Sequence, residues 1–276
     1  MVPSRSALLL AGLALAPAAH AQSDDAAELA KQLANPVASL ISVPFQFNYN
    51  DGMGVDGDGH QSYVNIQPVL PFSLNENWNL ISRTILPIVS QDGLIPGEGS
   101  QFGLGATTQS FFLSPKQPTA GGLIWGVGPA FLLPTATDSI STNQWGAGVT
   151  GVVLKQSGPW TVGALANHLW SVTGNSTQGD ISQTFLQPFA SYTTPKATSF
   201  TINSESTYDW EAEEWSVPIN FLVAQVVKIG SQRVQFGVGA RPSRRARTRA
   251  PPPSSARRHR TARADCRSSP PARRGS

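Results

Sequence analysis

Between Pro36 and Arg241 the chain repeats one pattern eleven times: ten to fourteen residues alternating apolar and polar, followed by a turn cluster. The segments cover roughly 38–49, 61–73, 78–90, 101–113, 122–134, 143–155, 160–173, 181–193, 198–209, 215–228 and 232–241. Period-two alternation marks β-strands, and a tilted strand needs ~9–11 residues to cross a bilayer core. The alternation is plainest late in the chain. Phe200, Ile202, Ser204, Ser206, Tyr208 and Trp210 share one face, against Thr201, Asn203, Glu205, Thr207 and Asp209. Trp215, Val217, Ile219, Phe221 and Val223 then oppose Ser216, Asn220 and Ala224, and Val234, Phe236 and Val238 oppose Arg233, Gln235 and Arg241.

A soluble β-sandwich alternates in the same way, core against solvent. Three features favour a transmembrane antiparallel β-barrel instead. Trp78, Trp145, Trp160, Trp170, Trp210 and Trp215 fall near segment ends, where barrels keep aromatic girdles. Compact connections (75–77, 114–120, 156–159, 194–197 and 230–231) alternate with mostly longer ones at 51–60, 91–100, 135–142 and 174–180. Charge is sorted along the same division: Lys116, Lys155, Lys196 and Lys228 lie at the compact turns, while Asp51, Asp58, Asp92, Asp138, Asp180 and Glu211 lie at the opposite ends.

Only 13% of the 276 residues are charged, about half the share usual in a soluble domain. The net charge of +3 averages two unlike parts. Residues 22–241 hold eight basic and sixteen acidic side chains, a net −8, whereas residues 242–276 hold eleven arginines and one acid, a net +10. Nucleic-acid binding is therefore not expected of the body. The single cysteine, Cys266, excludes a disulfide framework and cysteine-type zinc sites.

Residues 1–21 read as a secretory signal peptide: Arg5, the apolar run ALLLAGLAL, and Ala19-His20-Ala21 as a small-x-small cleavage site. Residues 22–36 form an N-terminal segment in which SDDAAELAKQL has helical composition, with acids in its first turn and Pro36 as a stop. The sequence thus predicts a short periplasmic helix, then a barrel over 37–241, then a disordered Arg/Pro/Ala/Ser-rich tail over 242–276.

The stretches ELAKQLANP running into VASLISVPFQFNYN, then RTILPI, GLGATTQSFFLSP, GVGPAFLLPTATD and WSVPIN resemble a family of bacterial outer-membrane proteins, the phenol-degradation-pathway, transporter-like barrel family. The resemblance covers about residues 28–241. It implies about twelve strands, location in the outer membrane of a Gram-negative bacterium, and movement of small, often hydrophobic or aromatic, compounds. It supplies no catalytic motif. A non-transporting structural or adhesion barrel is the alternative.

The chain departs from the family after Arg241, where relatives continue into a final aromatic-ended strand. Here the composition turns abruptly to Arg, Ala, Pro and Ser, as a GC-rich gene yields when read out of frame. This predicts a frame shift near residue 241 and the loss of the twelfth strand. Eleven strands would leave two unpaired edges, and each unsatisfied backbone group facing hydrocarbon costs several kcal/mol.

On the alternation, the candidates for lining the lumen are Asn65, Gln67, Arg83, Asn203, Glu205, Asp209, Asn220, Arg233 and Gln235. Arg83 must face inward, because a charge facing lipid at mid-depth costs ~2–4 kcal/mol. Glu205 and Asp209 are candidates for ion pairing with Arg83 or Arg233, as a constriction or as filling for a narrow barrel. The loop DGMGVDGDGH over Asp51–His60 lacks the later bidentate acid of a calcium loop, and no metal is expected there. The body has only His60 and His168 and no G-x-S-x-G pattern, so no catalysis is expected; no nucleotide fingerprint is present, so no cofactor is expected. The partners this class implies are outer-membrane lipid and lipopolysaccharide, the barrel-assembly machinery and a small-molecule solute.

Overall fold

The computed structural model describes residues 5–14, 23–54, 57–94, 97, 99–141, 143–172, 180–230 and 232–242. Of these, residues 5–14, 23–25 and 242 are described by their backbone alone. The cleavage motif expected at 19–21 and the tail from 243 onward lie outside the described residues.

All eleven predicted segments are strands. They are β2 (Ser42–Met53), β3 (Gly59–Ile66) with β4 (Val69–Ser73), β5 (Trp78–Asp92), β6 (Gln101–Leu104) with β7 (Thr107–Pro115), β8 (Leu123–Leu133), β9 (Gly146–Ser157), β10 (Trp160–Ser171), β11 (Ser182–Thr193), β12 (Thr198–Ser204) with β13 (Ser206–Asp209), β14 (Glu214–Ser216) with β15 (Ile219–Ile229), and β16 (Gln232–Pro242). The interruptions are local: residues 67–68, 105–106, Glu205 and 217–218 leave the ladder, and Pro68 and Pro218 have no amide to give it. Every pairing is antiparallel, and β10 pairs β11 as well as β9.

A twelfth span comes from an unexpected place. The apolar run predicted as a leader forms β1 (Arg5–Ala14), lying between β16 and β2. Its register runs from Arg5↔Pro242 to Ala14↔Arg233 on one side and from Ala7↔Tyr49 to Ala14↔Ser42 on the other. The predicted pair of open edges is therefore absent: with β1 in place the sheet closes into a ring of twelve spans. A short continuous apolar run suits a buried strand as well as a leader core, and periodicity cannot separate the two. β16 also includes Pro242, one residue past the predicted boundary.

One face of the ring is apolar and exposed. Phe45, Phe47, Val149, Val153, Val162, Phe200, Phe221, Val223, Phe236 and Val238 all lie on it. Trp78 packs edge-on against Trp125, and Trp160 against Tyr192, near the end bearing the short turns. Tyr208 contacts both Trp210 and Trp215, with Trp170 beside His168, near the end bearing the longer loops. Three polar groups on this face satisfy one another: Thr84 Oγ1 donates to Gln109 Oε1 at 2.6 Å, and Gln109 Nε2 donates to Ser82 Oγ at 3.0 Å. The opposite face buries Gln46, Asn48, Thr150, Thr161, Ser191 and Asn220 among a few apolar residues. This is the reverse of a soluble fold.

Glycine permits the tightest strand approach. A Cβ at Gly148 would sit 1.8 Å from the carbonyl oxygen of His168 on the neighbouring strand. Gly148→Val should force β9 from β10 and cost about 3 kcal/mol or more. The urea midpoint of the refolded protein, followed by tryptophan fluorescence, should fall accordingly; an unchanged midpoint would contradict the packing.

Candidate functional site

The helix α1 (Ser23–Leu33) was predicted to precede the barrel; it stands inside the ring instead. Its apolar stripe explains why: Leu29 and Ala30 are buried against Ala197 and Val226, with Ala26 and Leu33 beside them. The Gln156 side chain holds it from another wall, donating from Nε2 to the Lys31 carbonyl at 2.9 Å. Ala197 lies in a short turn, so α1 occupies the short-turn mouth. The following residues cross to the far wall. There Val37 joins a cluster with Ile81, Phe112, Val152, Leu154 and Leu165, and Ser39 Oγ accepts from Asn79 Nδ2 at 2.6 Å. Gly126 makes room, since a Cβ there would meet Val37 Cγ1 at 3.2 Å. Residues 23–40 thus form a plug whose energy comes from apolar burial.

Above the plug lies a cavity of about 230 Å³. Its walls include Gln67, Arg83, Asn203, Glu205 and Gln235 from the predicted set, joined by Gln46 and Gln187 and by apolar Val69, Phe189 and Leu222. Arg83 Nη2 donates to Gln67 Oε1 at 3.2 Å, Gln67 Nε2 donates to Gln46 Oε1 at 2.6 Å, and Gln46 Nε2 donates to Asn48 Oδ1 at 3.3 Å. This chain of amides holds the guanidinium at the cavity wall.

A second network stands opposite. Arg241 donates from Nη2 to Glu205 Oε2 at 2.6 Å, from Nε to Asn220 Oδ1 at 2.8 Å, and from Nη1 to Tyr63 Oη at 3.2 Å. Asn220, fully buried, donates in turn to Asn203 Oδ1 at 2.7 Å. Of the predicted pairings of Glu205, with Arg83 or Arg233, the one with Arg83 is present as a Coulombic interaction without a direct contact; Arg241 takes the short contact because its register puts it directly across from Asn220, beside Glu205. Asp209 pairs with neither arginine. It sits at the long-loop rim, where Oδ1 accepts the Glu211 and Ala212 amides at 3.0 Å and Oδ2 accepts Gln183 Nε2 at 3.1 Å. A side chain immediately before a tight turn is better placed to cap it than to reach across a barrel.

Asn65 shares the inward face, paired in register with Gln46 and Pro87, and Arg233 pairs in register with Lys228 towards the short-turn end. Arg241, Gln46 and Tyr63 were missing from the predicted set. Arg241 already stood on the wet side of the alternation, and Gln46 sits between two phenylalanines in PFQFN. His168 faces outward among Trp170 and Trp210, with Nδ1 2.7 Å from Thr184 Oγ1, which also accepts the Trp210 indole N–H at 2.8 Å. It belongs to the aromatic girdle and not to the cavity. Among the described residues no group of three His, Cys, Asp or Glu side chains could hold a metal.

No family model matches the chain, and no curated protein matches it. A solved structure similar to it is an outer membrane channel from Pseudomonas putida, with a TM-score of 0.48 and 12% sequence identity over 87% of this chain and 94% of that one.

Proposed function

We propose that this chain is an outer-membrane barrel that passes small compounds with an apolar body through its interior. The observation that carries the reading is the inverted ring: apolar, tryptophan-flanked walls outside and a polar, partly filled interior. In hydrocarbon every backbone polar group needs an internal partner, and a closed sheet provides that. Outside such a solvent, the exposed Phe and Val band would be a large aggregation-prone surface. The longer, more acidic loops would face the exterior and the four lysines the periplasm, close to anionic headgroups.

The plug favours a second reading, a barrel that anchors or supports without conducting. Planar-bilayer recording in 1 M KCl, a concentration on the order of that usual for such work, separates the two. Discrete single-channel steps from the purified, heat-modifiable protein are expected. A folded barrel that inserts and stays silent would leave the structural reading.

Assembly is expected to show on a gel. The folded chain, unboiled, should migrate apart from the boiled chain, and an aggregate or a single unshifted band would contradict the barrel.

A further inference from the structure

The cavity above the plug is short of negative charge. At the cavity wall and in the network facing it, the described residues set Arg83 and Arg241 against one carboxylate, Glu205. That carboxylate is taken at 2.6 Å by Arg241. Asp209 spends its oxygens on the rim turn and on Gln183. Arg83 is enclosed by the barrel, lines the cavity, and has a neutral amide, Gln67 Oε1, as its hydrogen-bond acceptor. A guanidinium offers five N–H donors in a rigid fork, and the carboxylate whose charge reaches Arg83 is Glu205, already held by Arg241, so two guanidiniums share one counter-ion.

We propose that Arg83 is the anion-reading residue of a subsite for a small organic monocarboxylate with an apolar body. The carboxylate docks on the free edge of the guanidinium, which matches its planar two-oxygen geometry. The apolar body lies against Phe189, Leu222 and Val69, and the amides of Gln235 and Asn203 flank the head. A cavity of about 230 Å³ lies below the roughly 300–1,000 Å³ of pockets that take drug-sized ligands, which limits the occupant to about one ring. The proposal deepens the channel reading by naming its solute class, but the binding itself does not require flux.

The test is calorimetric titration of the full refolded chain in detergent with benzoate and with benzamide, its neutral isostere. Benzoate should bind at least about tenfold tighter, a difference of ~1.4 kcal/mol. Arg83→Gln should remove that preference, and Arg83→Lys, which keeps the charge but not the fork, should keep part of it. Equal binding of the two probes by the unaltered chain, no binding of benzoate, or a preference untouched by Arg83→Gln would each overturn the proposal. Each variant is first checked for the heat-shifted band. If Arg83→Gln does not fold, Arg83→Lys decides: an undiminished preference overturns the proposal. The KCl recording keeps the two readings apart. A silent barrel that discriminates benzoate removes the channel and leaves the subsite, whereas a conducting barrel that does not discriminate removes the subsite alone.

Discussion

Refolded from urea into detergent, the full chain should give a heat-modifiable band and a chain beginning at Gln22 should not. β1 alone joins β16 to β2, through ten register pairs on one side and eight on the other. Without it, Phe236 and Val238 on one strand and Phe45 and Phe47 on the other flank two bare backbone edges facing hydrocarbon. Each unsatisfied group there costs several kcal/mol, against a total stability of about 5–15 kcal/mol for a domain. The expected effect is therefore loss of the folded state and not a shifted midpoint. The same segment carries the composition of a leader, and the two uses exclude each other once a peptidase has cut. Intact-mass analysis of the membrane-inserted protein should accordingly find residues 5–14 still attached. A chain from Gln22 that shifts on heating as well as the full chain does would refute the closing role of β1.

The eleven later spans were legible because each strand faces two different surroundings, and alternation records that difference residue by residue. PFQFNYN and SFTINSESTYDW each display both faces in a single strand. β1 was illegible for the converse reason: LLL followed by AGLAL carries no alternation, so nothing local distinguishes a strand from a leader core. The plug was half legible. Ala26, Leu29, Ala30 and Leu33 form an i, i+3, i+4 stripe that requires a partner surface, but no local pattern says that the surface is the inside of the ring. Within the site, inwardness could be read and partnership could not. Arg83, Glu205, Asn203 and Asn220 stood on the polar face of their strands. Which arginine meets Glu205 depends on the register of β15 against β16, a relation between residues 21 apart in sequence. Long-range register is set by the closed ring, and no short window of sequence contains it.

Removing the plug should change conduction more than any single substitution in the cavity. Residues 23–40 fill the short-turn mouth through two apolar clusters, one around Leu29, Ala197 and Val226 and the other around Val37, Ile81 and Phe112. Both clusters pack on the inside of strands whose ladders are complete without them, so the ring does not depend on the plug for its backbone pairing. A variant in which residues 23–38 are replaced by a flexible Gly/Ser linker of equal length keeps the connection between β1 and β2. It should still shift on heating and should show a several-fold larger single-channel conductance than the parent. The physical reason is the size of the ring. About eight strands enclose only enough space for side chains and 16–18 leave an aqueous channel, so twelve spans need an additional element to fill the interior. A milder form of the same experiment is Gly126→Leu, which puts a side chain where Val37 Cγ1 now sits. It should loosen the plug and raise conductance part of the way, with trypsin cleavage after Lys31 accelerated in parallel. Conductance unchanged by the linker replacement would mean that current passes elsewhere, and the plug would then be a support for the wall and not a barrier in the path.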